Sequence, residues 1–188
     1  GSIKLQELQT VVMIQCVDSR EEPRNYCSRI CCASALKNAL YIKERNPEAN
    51  VFILYRDVMA YGFLETYYTQ ARQKGIIFVQ FDVGEKPRVT VENGRTEITF
   101  KDPIIDRELK LQTDVLALST GIVPEKQQNL DKIFGVETDE DGFFKESPAK
   151  MRPLDGETDG VLFAGLAVAP KATEESLIEP WGVAGRAM

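Results

Sequence analysis

All four cysteines of the chain fall within one stretch of seventeen residues, Cys16 to Cys32, which reads CVDSREEPRNYCSRICC. The spacing is C-x10-C-x3-C-C, and the chain has no histidine. The flanks of this stretch limit what it can become. Val11-Val12-Met13-Ile14 is a short apolar run of the kind that forms a buried strand. Cys16 follows its end, and a charged loop with one proline runs over residues 18–26. A helical pattern then opens near Cys27 and continues to about Arg45. The sulfurs therefore gather at the first turn from strand to helix.

That placement suggests a chemistry. On a helix, Cys27 and Cys31 at i and i+4 share a face, and Cys32 lies about 100° round from Cys31. Three thiolates then fan out at a helix N-terminus, and the fourth comes from the strand end. A tetranuclear iron–sulfur cluster with four thiolates is anionic, which suits the exposed N–H groups and positive dipole end of a helix. Arg20, Arg24 and Arg29 add nearby cations able to tune such a group. Other readings remain open on the residues alone. Thiols are often simply buried. Two disulfides need an oxidising compartment, which the length, acidic surface and lack of a secretory signal argue against. A structural zinc site usually shows paired C-x2-C knuckles, which the vicinal Cys31-Cys32 pair fits poorly. A thiol–disulfide enzyme would use Cys27 with Cys31 or Cys32, since a helix N-terminus lowers thiol pKa.

The surrounding pattern is α/β. Strands are expected at about 10–16, Val51–Tyr55, Ile76–Phe81 and Val115–Leu118. Helices are expected at about 27–45, ended by Asn46-Pro47, and at 61–74, ended by Gly75. The order βαβαβ predicts a parallel, doubly wound sheet. Asn93-Gly94 between β-rich runs predicts a hairpin in place of one helical crossover. Residues 119–188 read differently. A turn, a short helix over Glu125–Phe134, a buried strand over Val161–Ala164 and a last helix from Thr173 are expected, with Pro180 kinking or dividing that helix. The net charge of −6 argues against a nucleic-acid partner. No apolar run approaches the ~20 residues of a membrane helix, so a cytoplasmic protein without membrane insertion is expected. Gly1-Ser2 reads as a cleavage remnant, so the natural chain is expected to be longer.

Several familiar chemistries are missing. A dinucleotide site carries G-x-G-x-x-G at the first strand-to-helix turn, but no glycine stands between Ile3 and Tyr61. The turn has cysteines where the phosphate cradle would be. Histidine-based triads are excluded. No catalytic acid, base or nucleophile is expected.

The segment CVDSREEPRNYCSRICCASALKNAL resembles the A subunit of heterodisulfide reductase, an FAD-containing iron–sulfur flavoprotein with a thioredoxin-reductase-like core. The resemblance continues through NPEANVFILYRDVMAYG, TDVLALSTGIVPE and DEDGFFKESPAKMRPLDGETDGVLFAG. It implies a three-layer Rossmann-like fold of the pyridine nucleotide-disulfide oxidoreductase type, plus the C-terminal part of an FAD-binding domain. By it, residues 1–7 are remnant and lead-in, 8–118 the former NAD(P)-type domain, and 119–188 the FAD-domain segment whose first half would precede residue 1. It implies Cys16, Cys27, Cys31 and Cys32 as ligands of a [4Fe–4S] cluster that relays electrons to or from FAD. Gly121, Gly165 and Leu166 are the implied flavin contacts, although related flavin reductases carry Gly-Asp where this chain has Gly165-Leu166. The implied partners are other subunits of a heterodisulfide reductase-like or quinone-linked complex. The 188-residue piece alone is expected to lack turnover.

Overall fold

The computed structural model describes residues 4–125 and 129–188. The chain divides into two compact units. One runs to Ser19 and resumes over Cys31–Gly121; the other comprises Arg20–Ile30 and Ile122–Met188. The charged loop ahead of the first helix thus groups with the C-terminal part of the chain.

The first unit is built on a parallel sheet. Its strands are β1 (Thr10–Ile14), β2 (Asn50–Tyr55), β3 (Ile77–Gln80) and, later in the chain, β7 (Val115–Leu118), in the order β3-β2-β1-β7. Val11 is in register with Val51 on one side and Val115 on the other. The crossovers are α1 (Cys31–Arg45) and α2 (Glu65–Gln73). Between β3 and β7 stand β4 (Arg88–Glu92), β5 (Arg95–Asp102) and β6 (Arg107–Thr113), an antiparallel sheet of their own. The Asn93-Gly94 hairpin is present, with both residues left-handed (φ 52° and 75°), as its turn type requires. The third strand, RELKLQT, was not expected. It is mostly polar and solvent-facing, so its alternation carried little apolar signal.

Side-chain alternation divides this unit into three layers. Val11, Met13, Val51 and Ile53 pack with Ala35, Leu36, Ala39 and Ile42 of α1 and Ala71 of α2. Val12, Ile14, Leu54 and Val79 face the other way and pack with Ile98 and Phe100 of β5. The parallel sheet is therefore apolar on both faces, which is why its strands read as unbroken hydrophobic runs. Asn46 ends α1 and ties down the lead-in: its Nδ2 donates to the carbonyls of Leu5 and Leu8 at 3.0 and 2.8 Å.

The second unit has a smaller apolar cluster, Val136, Phe144 and Phe163, with the two phenyl rings stacked at 5.4 Å. The expected helix over Glu125–Phe134 is reduced to α3 (Leu130–Phe134), and residues 126–128 lie outside the described residues. The expected strand over Val161–Ala164 does not form. Leu162 makes one isolated bridge, to Asp155, so that apolar run lacks a ladder partner. α4 spans Thr173–Ala187 as one helix, so Pro180 does not divide it. The Glu175 carboxylate accepts the Ala172 N–H at 2.9 Å, which serves one of the unpaired donors at the helix start.

Candidate functional site

The sheet order places a direction switch between β1 and β7. Open parallel sheets bind ligands outside the carboxyl ends of their strands at such a point. At this end of β1 stand Gln15 and Cys16. The Gln15 N–H donates to Leu54 O at 2.9 Å and the Val17 N–H to Ser119 O at 3.0 Å, so the backbone keeps sheet contacts on both sides of Cys16. Cys16 itself has φ 57°, and Asp18 and Arg20 follow with φ 49° and 62°. Left-handed backbone costs a non-glycine residue about 1–2 kcal/mol. Three such residues within five mark a turn whose shape is imposed by something other than local preference, a pattern common at functional sites.

Cys31 and Cys32 form the opening of α1, where backbone N–H groups lack helical acceptors. Cys32 lies on the inward stripe with Ala35, Leu36 and Ala39, and it is buried. Its thiol donates to Asp57 O at 3.6 Å. Cys16 and Cys31 are half-buried.

Cys27 is placed differently. The expected helix over residues 27–45 begins only at Cys31, so Cys27 and Cys31 do not share a helix face. Arg29 is left-handed (φ 62°), and the Ile30 N–H turns back to Ser28 O at 2.8 Å, which breaks helical geometry just ahead of α1. Two neighbours bracket Cys27 onto one residue of its own unit. The Tyr26 hydroxyl donates to Ile122 O at 2.9 Å, and the Ile122 N–H donates to Ser28 Oγ at 2.7 Å. Tyr26 also packs edge-on against Phe143, with ring centroids 5.4 Å apart. Burial, then the nearby Asp141 carboxylate, pushes its hydroxyl pKa up. The Cys27 sulfur accepts the Arg29 N–H at 3.3 Å. The Arg29 guanidinium pairs with Glu175 at 2.8 Å, so its charge is largely offset. The Ala172 N–H first, and Arg29 second, hold the Glu175 carboxyl below the usual range.

Gln15 is the residue the sequence reading passed over. Its side chain is 1% exposed. Neither its Nε2 nor its Oε1 has a hydrogen-bond partner among the described residues. An unpaired buried polar group costs about 1–3 kcal/mol. Its signal in the sequence was a polar residue closing an otherwise apolar strand, just before a cysteine.

All four cysteines are thiols rather than disulfides. Among the described residues, no three His, Cys, Asp or Glu side chains converge as ligands of one metal ion. A single zinc needs its sulfurs about 2.3 Å away, all on one centre. A tetranuclear cluster binds each thiolate through a different iron and so spreads its ligands more widely. Four thiols and no histidine make up the donor set that such a cluster takes. The flavin candidates are less open. The Gly165 N–H, at φ 67°, donates to Glu179 Oε2 at 2.8 Å, and Glu179 pairs with Lys171 at 2.6 Å. Leu166 is exposed, and its side chain carries no hydrogen-bonding group. Gly121 is left-handed (φ 79°) in the first unit.

Comparison with known proteins locates the chain. No protein-family model matches it. The A subunit of the ferredoxin:CoB-CoM heterodisulfide reductase of Methanosarcina acetivorans is 35% identical over 182 residues, covering 94% of this chain and 22% of that protein. The iron-sulfur A subunit of the CoB–CoM heterodisulfide reductase of Methanocaldococcus jannaschii is 35% identical, covering 93% of this chain and 27% of that protein. The chain thus spans about a quarter of the length of these relatives. Among solved structures, the HOCl-induced flavoprotein disulfide reductase RclA of Escherichia coli matches 96% of the chain and 36% of its own, at TM-score 0.62 and 12% identity. Thioredoxin reductase of T. acidophilum matches 95% of the chain and 50% of its own, at TM-score 0.55 and 20% identity. These two likenesses establish the fold, an α/β Rossmann-like scaffold. Over nearly its whole length, the chain is homologous to one segment of the heterodisulfide reductase A subunit.

Proposed function

We propose that Cys16, Cys27, Cys31 and Cys32 ligate a [4Fe–4S] cluster, and that the chain is the electron-transfer segment of a larger flavin-containing reductase. The observation that carries this reading is the replacement at the first crossover. Where a nucleotide-binding sheet has a glycine-rich cradle, this one has a strained, glycine-free turn, one thiol at the strand end and two at the helix start. Bound there, such a cluster would accept and release single electrons. The residues of the chain hold and tune it. The first turn of α1 directs N–H groups toward added negative charge. The Arg29 N–H orients the Cys27 sulfur, and Tyr26 and Ser28 fix the segment that carries it.

The first of these relatives is named for a ferredoxin, for a CoB-CoM heterodisulfide and as one lettered subunit of its reductase. By analogy, the full protein works with other subunits in reducing a disulfide, in the cytoplasm, with FAD bound mainly by residues beyond this segment. Gly121, Gly165 and Leu166 would then be minor flavin contacts, since the Gly165 N–H already serves Glu179. No helix among the described residues is long and apolar enough to cross a membrane.

The test is metal analysis after anaerobic reconstitution, with each cysteine changed singly to serine. The proposal expects about four irons and four sulfides per chain, with a loss in all four variants. One zinc without sulfide would instead indicate a structural zinc domain. Loss confined to two cysteines would indicate dithiol chemistry.

A further inference from the structure

The Gln15 N–H continues the β1 ladder to Leu54 O, so strand alternation carries one residue past Ile14. Gln15 therefore belongs to the face of Val11 and Met13, which pack against Ala35, Leu36 and Ala39 of α1. Cys32 lies one turn before Ala35 and Leu36 on that stripe. The Gln15 carboxamide thus sits in the layer between β1 and α1, at the end where Cys31 and Cys32 open the helix. It is buried to 1% exposure, with both polar atoms unpaired among the described residues. Native interiors rarely leave a whole carboxamide unserved, so such a group marks the place of a missing partner. A sulfur-rich anion at this end of the layer would be that partner.

We propose that Gln15 Nε2 donates an N–H···S hydrogen bond to the cluster held by the neighbouring cysteines, and so sets its reduction potential. This rests on the cluster reading given above. Reduction adds one electron and one negative charge to the bound group, and a donor to sulfur stabilises that added charge. Removing the donor therefore favours the oxidised form.

The experiment is an EPR-monitored redox titration of the anaerobically reconstituted chain, with dithionite as reductant, comparing wild type with Gln15→Leu. Loss of the donor is expected to shift the reduction equilibrium about tenfold toward the oxidised cluster, which is about 59 mV lower for a one-electron couple. Gln15→Met, unbranched and adaptable in shape, carries the same readout if the leucine variant does not fold. An unchanged potential with full iron and sulfide content overturns the role of Gln15 and leaves the cluster intact. Altered cluster content with an unchanged potential also overturns it, since that is what a purely structural residue would give. A wild-type chain that takes up no iron and sulfide removes the cluster reading, and this proposal with it.

Discussion

The two units hold their cysteines by different means. In the first, Cys16, Cys31 and Cys32 sit at the ends of β1 and α1, and those elements are fixed by apolar layers on both faces of a parallel sheet. In the second, the apolar cluster has three buried members among the described residues, and Cys27 is held by hydrogen bonds between its neighbours and the Ile122 backbone. A thiol can be positioned by burying the element that carries it, or by bracketing a loop with polar contacts. The first device depends on packing and the second on a few hydrogen bonds.

Leu54 is 1% exposed at the centre of the first unit. Leu54→Ala should lower unfolding free energy by about 3–4 kcal/mol, measured by urea denaturation. A change below about 1 kcal/mol would mean the sheet is not held by its apolar faces. Next is the bracket. Ser28 is 3% exposed, and Ser28→Ala leaves the Ile122 N–H without its acceptor. A loss of about 2 kcal/mol is expected, together with lower cluster uptake that Leu54→Ala does not reproduce at temperatures where both variants are folded. Equal uptake in the two variants would erase the distinction between the devices.

The smallest effect is at Glu175. Its folded pKa is lowered by the Ala172 N–H and then by Arg29. A carboxyl with a lowered folded pKa contributes stability that is full above its unfolded value, ~4.3, and is lost as pH falls through the folded value. Glu175→Gln should thus destabilise the chain at neutral pH and match wild type in strong acid. Glu175 is 41% exposed in its side chain, so solvent screening keeps the difference under about 1 kcal/mol. A gap in Tm that persists unchanged into acid would show that its charge is not what matters.

The first unit was largely legible in the sequence because burial there is periodic. Val11–Ile14, Val51–Tyr55 and Ile76–Phe81 are rich in apolar residues that serve both faces, and Asn93-Gly94 fits a tight hairpin turn. Strand β6 escaped because only Leu109, Leu111 and Thr113 are half-buried, and polar residues dominate the segment. In the second unit the pattern misled. Val161–Ala164 has the composition of a strand, but composition does not supply a ladder partner. At the candidate site the crowding of the thiols and the strand-to-helix turn that carries Cys16, Cys31 and Cys32 were legible. The start of α1 was not, because nothing in Cys27-Ser28-Arg29-Ile30 announces a left-handed arginine. Nor was the bracket on Ile122, which joins residues 94 positions apart.

In the proposed loaded protein, a sulfur-bound cluster stands where a phosphate cradle would be. Native mass spectrometry of the reconstituted chain, kept anaerobic, measures this directly. Four irons and four sulfides would add about 350 Da to the wild-type chain, and none of that mass should remain after Cys16→Ser. An added mass of about 65 Da, one zinc, or a full cluster that survives loss of Cys16 would contradict the account.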